Sequence, residues 1–129
     1  MPNLIKNQTY TWSQILAETG AANVLPYYLL RTSASRTIVA SSLDIKTNPR
    51  APYEILAGDG REIKRWANVA EKQIKPFAVF VCELDGKSYF RGHLKCVDSS
   101  IDAKEIALRA EQANRKDIYK ILFLTEVPT

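Results

Sequence analysis

The sequence predicts an α+β fold: a curved, mostly antiparallel β-sheet or partial barrel with about three flanking helices. Three observations carry this. Residues 77–97, FAVFVCELDGKSYFRGHLKCV, set two apolar, β-prone runs on either side of Asp85-Gly86, a dipeptide that accepts the positive φ angles of a tight hairpin. Three other stretches have helical spacing and start or stop signals. Strands and helices do not alternate regularly, which disfavours a doubly wound parallel sheet.

Taken in order, Thr11–Thr19 (TWSQILAET) reads as a short helix. Thr11 can cap it, Gln14 stands at the capping-box position, and Gly20 ends it. Trp12, Ile15 and Leu16 share its apolar face, with Trp12 as a core anchor. Val24–Leu30 is apolar but holds Pro26, so it reads as an edge strand or an extended segment. Arg31–Arg36 is a small basic loop, Thr37–Leu43 a strand, and Asp44–Pro52 a proline-punctuated loop. Tyr53–Ala57 is a short strand broken by Gly58-Asp59-Gly60. Arg61–Gln73 follows as a helix with Ile63, Trp66, Ala67 and Ala70 inward. After the hairpin, Asp102 can cap a helix running to about Asn114, with Ile106, Ala107, Ala110 and Ala113 on its apolar side. Ile118–Val127 closes the chain as an apolar, central strand.

The 129 residues fit one domain with a real core. No apolar run is long enough to span a membrane, and the N-terminal stretch lacks the order of a signal peptide, so a cytoplasmic location is expected. Cys82 and Cys96 fall in neighbouring strands on opposite faces and are expected as free thiols. A single histidine excludes the usual zinc-site spacings, and no cofactor is implied. The net charge of +4 is concentrated mid-chain: Arg61, Lys64, Arg65, Lys72 and Lys75 face only Glu62 and Glu71 across residues 61–75. That distribution suits a polyanionic partner or a solvated surface.

With Asp85-Gly86 alone in the hairpin loop, Ala78 faces His93 and Phe80 faces Arg91. Phe77, Val79 and Val81 then share a core face with Phe90, Gly92, Leu94 and Cys96. Tyr89, Arg91, His93 and Lys95 line the other face as a basic, aromatic row. Arg31, Arg36 and Arg50 lie on polar loops, and Arg61, Lys64 and Arg65 on the helix. Tyr27, Tyr28 and Tyr53 offer planar surfaces, while Asn48, Asp59, Ser33 and Ser35 offer hydrogen-bonding groups. Cations neutralise phosphates and aromatic rings stack on exposed bases, so the set points to nucleic acid. Gly58-Asp59-Gly60 reads either as an anion-binding turn or as a plain helix cap.

Catalysis has little support. Cys82 and His93 could form a pair, but no Ser-His-Asp set exists. Glu62-Ile63-Lys64 and Asp85-Gly86-Lys87 match halves of a metal-dependent nuclease motif in spacing, but lie on a helix and in a turn rather than on a strand.

Phe90-Arg91-Gly92-His93-Leu94-Lys95-Cys96-Val97 resembles the YDGLYxV-type strand of the SET- and RING-associated domain, within the wider PUA-like fold. Asn48–Gly60 is similar to a segment of small modules attached to restriction-type nucleases. Arg91 stands where that family carries an acid. The resemblance implies a module that reads DNA, often modified DNA, rather than cutting it, beside a nuclease on another chain. The expectation is a non-enzymatic DNA-binding module, DNA favoured over RNA. Phosphates would fall to Arg31, Arg36, Arg50, Arg61, Lys64 and Arg65, and a modified or extruded base to Tyr89, Arg91, His93 and Asn48. A protein-interaction or homodimerisation domain is the alternative, and a metal-dependent nuclease the third reading.

Overall fold

The computed structural model describes residues 4–34 and 36–128; Ser35, one of the candidate hydrogen-bonding groups, lies outside them. Three helices and six strands follow in the chain: α1 (Trp12–Thr19), β1 (Leu30–Arg31), β2 (Ile38–Asp44), β3 (Glu54–Gly58), α2 (Arg61–Lys72), β4 (Phe77–Cys82), β5 (Ser88–Ser100), α3 (Ala103–Ala113) and β6 (Ile118–Glu126). The strands form one curled, half-barrel sheet in the order β1-β2-β4-β5-β6-β3. Every neighbouring pair is antiparallel except β2–β4, which β3 and α2 separate in sequence. The α+β class and curved, mostly antiparallel sheet match the sequence prediction. No described helix is long and apolar enough to cross a membrane.

Helix α2 packs on one face of the curl. Trp66, Ala67 and Ala70 meet Ile55, Ala57, Phe77, Val79, Val81, Leu94 and Leu122 in the largest core cluster. Two alanines with no exposure let its backbone approach the sheet closely. The other face is covered at both ends. Ile15 of α1, with Leu4 and Tyr10, packs on Ala40, Ala78, Phe80 and Phe90. Helix α3 covers Leu56 and Ile121.

Local sequence accounts for the helix starts. Thr11 and Gln14 exchange capping-box hydrogen bonds at the start of α1, and Asp102 accepts from the Glu105 amide at α3. The inner stripe of α3 differs from the apolar side predicted. Ala113 is buried as expected, but Ala107 is exposed and Arg109 is buried, at 7% exposed. Its guanidinium makes a two-point contact with Glu54 of β3: Nε to Oε1 at 3.0 Å and Nη2 to Oε2 at 2.9 Å. Arg50 adds a longer contact to the same carboxylate at 3.5 Å.

Residues 24–30 are not a strand. A 3₁₀ turn spans Tyr27–Leu29, and only Leu30 continues into β1. That turn sends Tyr28 across the curl, where its hydroxyl accepts from the Gly58 amide at 3.2 Å. Burial raises the Tyr28 pKa above its ordinary value. The outer edge of β3 is closed by side chains as well. The Leu56 amide donates to Asn48 Oδ1 at 2.9 Å, and Arg115 Nη1 donates to the Leu56 carbonyl at 3.0 Å. An open strand edge would otherwise template pairing with another chain.

The hairpin register corrects the sequence reading. Ala78 does pair with His93, but Phe80 pairs with Phe90 and Val81 with Tyr89. One extra residue in β5 at Gly92, whose φ is +110°, forms a bulge. Beyond it the alternation reverses, so Phe90 lies on the α1 side with Phe80, not with Leu94 and Cys96. The bulge marks a change of partner. Asn7, Gln8 and Tyr10 bond β5 at Ser88 and Phe90, whereas Val127 and β6 bond it from His93 onward. Lys6 joins the two partners through Glu126 at 2.8 Å.

Removing one partner of the buried pair should be severe. Arg109→Ala should lower unfolding free energy by about 3 kcal/mol, because it leaves the Glu54 carboxylate without its main partner. The double variant Glu54→Leu/Arg109→Met should recover most of that loss in chemical denaturation.

Candidate nucleic-acid interface

Three of the arginines singled out from the sequence meet around Trp66. The Arg31 guanidinium lies 4.3 Å from the indole centroid and that of Arg65 lies 5.5 Å away. Arg31 is fixed there: Nη1 donates to the Leu29 carbonyl at 3.2 Å and Nη2 to the Leu25 carbonyl at 2.9 Å. Burial lowers its pKa from the ordinary arginine value, leaving a cation with reduced hydration. Neither Arg31 nor Arg36 forms an ion pair among the described residues, while Arg65 lies 3.7 Å from Glu62 across an exposed turn. Arg31, Arg36, Arg65 and Trp66 line a depression of about 420 Å³ with Val24 and Ser33.

Arg61 lies one helical turn before Arg65 and opens a larger cleft of about 680 Å³. Leu25, Pro26, Tyr27, Tyr28, Gly60 and Ile63 make its walls mainly apolar. Tyr27 and Ser42 also line a third depression, of about 430 Å³, which reaches Trp12, Asp44, Cys82 and Ser88. Trp12 and Ser88 in turn line a fourth, which ends at Gly86-Lys87. Shared walls join the cleft and the next two depressions into one groove, and the Arg31–Arg36–Arg65 depression adjoins its Leu25 end, where Val24 and Leu25 are consecutive and Arg31 donates to the Leu25 carbonyl. Its middle is aromatic: the Tyr27 and Trp12 rings meet edge to face, 5.0 Å between centroids at 63°. Both remain partly accessible, Tyr27 at 42%.

The remaining expected residues lie elsewhere. Asn48 is 4% exposed and holds the β3 edge, so it does not line a pocket. Arg50 pairs with Glu54, and Lys64 lies over the Tyr119 ring at 4.8 Å. The predicted row Tyr89-Arg91-His93-Lys95 is split by the Gly92 bulge. Tyr89 and Arg91 share one face, where the guanidinium sits 5.1 Å from the ring and donates to Glu83 at 2.7 Å and Asn7 at 2.5 Å. His93 lies on the opposite face against Phe90, 5.3 Å between ring centroids.

The nuclease half-motifs do not converge on a metal site. Glu62 faces Arg65, and Asp85 accepts from the Tyr89 hydroxyl at 2.6 Å. No group of three His, Cys, Asp or Glu residues among those described could hold a metal ion. Both cysteines are free thiols, and Cys82 lines the groove while His93 does not. The parts that sequence reasoning missed are Trp66 as a platform and Leu25 as a wall. Trp66 reads as core and is core, 7% exposed, with two guanidiniums over its ring, whereas Leu25 reads only as part of an apolar segment yet is 69% exposed.

No family model, curated protein or solved structure matches this chain.

His93 supplies a pH test. Its Nδ1 is buried without a partner among the described residues, and burial lowers its pKa below the ordinary value. The unfolded chain therefore binds a proton at a higher pH than the folded one. Its contribution to stability falls as pH drops through about 6.5 and continues to fall until the folded group protonates. In urea titrations between about pH 7.5 and pH 5, His93→Gln should show a shallower stability loss than wild type.

Proposed function

We propose that this protein is a non-catalytic nucleic-acid-binding module for DNA, with its bases resting along the groove and its phosphates at the arginine end. The single observation behind this reading is the groove itself. Arg61 and Tyr27 line its cleft, Tyr27 and Trp12 line the next depression, and Arg31, Arg36 and Arg65 line the depression that adjoins the cleft at Val24-Leu25. Guanidinium groups neutralise phosphates, and an accessible ring gives an unpaired base a face to stack on. A duplex offers its phosphates but not its base faces, so the aromatic middle favours a single strand or an extruded base. Recognition of a modified base, and work beside a restriction-type nuclease, rest on the resemblance of Asn48–Gly60 and Phe90–Val97 alone.

Fluorescence anisotropy at two salt concentrations tests this with single strands, matched duplexes, and duplexes bearing 5-methyl- or 5-hydroxymethylcytosine. Binding should weaken with salt. Tyr27→Ala should weaken it without altering the salt slope, whereas Arg36→Ala should reduce that slope by about one. Arg91→Ala should leave affinity unchanged, because Glu83 and Asn7 hold that side chain outside the groove. Absence of binding at low salt would overturn the proposal.

A second reading draws on the groove's rim, where Val24 and Leu25 are 45% and 69% exposed. An apolar patch of this kind also fits a homodimer or another protein partner. A concentration-dependent dimer indifferent to DNA, abolished by Leu25→Ser, would favour it.

A further inference from the structure

The groove is electrically one-sided. Arg31, Arg36 and Arg65 crowd one end, and Lys72 shares the adjoining depression with Arg36. Between Arg61 and Lys87 the walls carry no cation among the described residues, and they include Glu62 and Asp44. A strand tracked along its backbone presents one charge per nucleotide throughout, which calls for cations spaced along the path. The observed distribution instead matches a ligand with a concentrated anionic head and a planar body.

Building on the nucleic-acid reading, we propose that the Arg31–Arg36–Arg65 depression binds the terminal phosphomonoester of a DNA strand, with the terminal bases lying along Tyr27 and Trp12. A phosphomonoester carries nearly two negative charges at neutral pH and three acceptor oxygens, against one charge for an internal diester. Three guanidiniums with Glu62 as the one paired carboxylate among the described residues leave an excess of positive charge suited to that group. Arg31 is already fixed by two carbonyls and the Trp66 ring, so little ordering remains to be done when the ligand arrives. Arg36 is exposed, and Arg65 is held by the exposed Glu62 pair and a 5.5 Å contact with the Trp66 ring, so both can turn toward the phosphate.

The test uses one short single strand with an internal dye in three forms: 5′-phosphate, 3′-phosphate, and hydroxyls at both ends. All are titrated at the same ionic strength. One phosphorylated form should bind about tenfold tighter than the hydroxyl form, the change expected for an added charge-assisted contact. The preferred end identifies the strand polarity. Arg36→Ala and Arg65→Ala should each erase most of the preference, with thermal unfolding confirming that both variants fold. Equal affinity for all three strands, or equal weakening of all three by Arg36→Ala, would overturn this inference and leave the nucleic-acid reading standing. Failure of every strand to bind would overturn both.

Discussion

The curled sheet closes on itself by means of a helix and a few side chains, not by strand pairing. Helix α2 lies against one face, and its Trp66-Ala67-Ala70 stripe is small enough at two positions to sit close to β3 and β5. The sheet's two ends are bridged by Tyr28, which reaches from the turn before β1 to the Gly58 amide on β3. That hydrogen bond and the packing beneath it fix where the 3₁₀ turn sits relative to the start of α2. The apolar cleft exists because these two elements are held apart at that spacing, with Tyr27 and Arg61 on opposite walls. The candidate interface is thus a by-product of how the half-barrel is closed.

A second constraint acts along β5. It is long enough to need two successive partners on one edge: the segment around Asn7–Tyr10, then β6. Gly92 sits at the handover, in a backbone conformation open chiefly to glycine, where a Cβ would meet the Glu126 carboxylate at 3.0 Å. The bulge has a functional consequence. It rotates His93 away from Arg91 and so dissolves the basic, aromatic row that simple alternation implies. The cations that stay accessible and only lightly paired lie instead at the start of β2 and along α2.

Charge pairing sorts the cations further. Arg109 and Arg115 tie α3 and the β3 edge in place, and Lys120 joins β6 to α2 through Glu71 and Asn68. Arg91 is neutralised by Glu83. What remains around Trp66 is a cluster of three arginines whose one ion pair among the described residues is the exposed Arg65–Glu62 contact. In a chain of net charge +4, that concentration at one end of one groove gives the surface its polarity.

Much of the fold was legible in the chain. Thr11 with Gln14, Asp102 with Glu105, the stripe through Trp66 and the apolar runs around Asp85-Gly86 are short-range signals, and short-range chemistry placed all three helices and the hairpin. Less of the site could be read. The sequence named Arg31, Arg36, Arg61 and Arg65 but also Asn48, Arg91 and His93, because residue type alone cannot tell a structural hydrogen bond from an accessible one. Asn48 is spent on the Leu56 amide, and that contact depends on where β3 lies relative to a loop residue eight positions earlier. The Gly92 bulge depends on partners at both ends of the chain. Sequence by itself determined where helices begin, which runs are apolar and where positive charge accumulates, since those follow from neighbours a few residues apart. Tertiary structure alone decided which cations stay unpaired, which tyrosine faces solvent and which face each β5 side chain occupies, because those depend on contacts between segments distant in the chain.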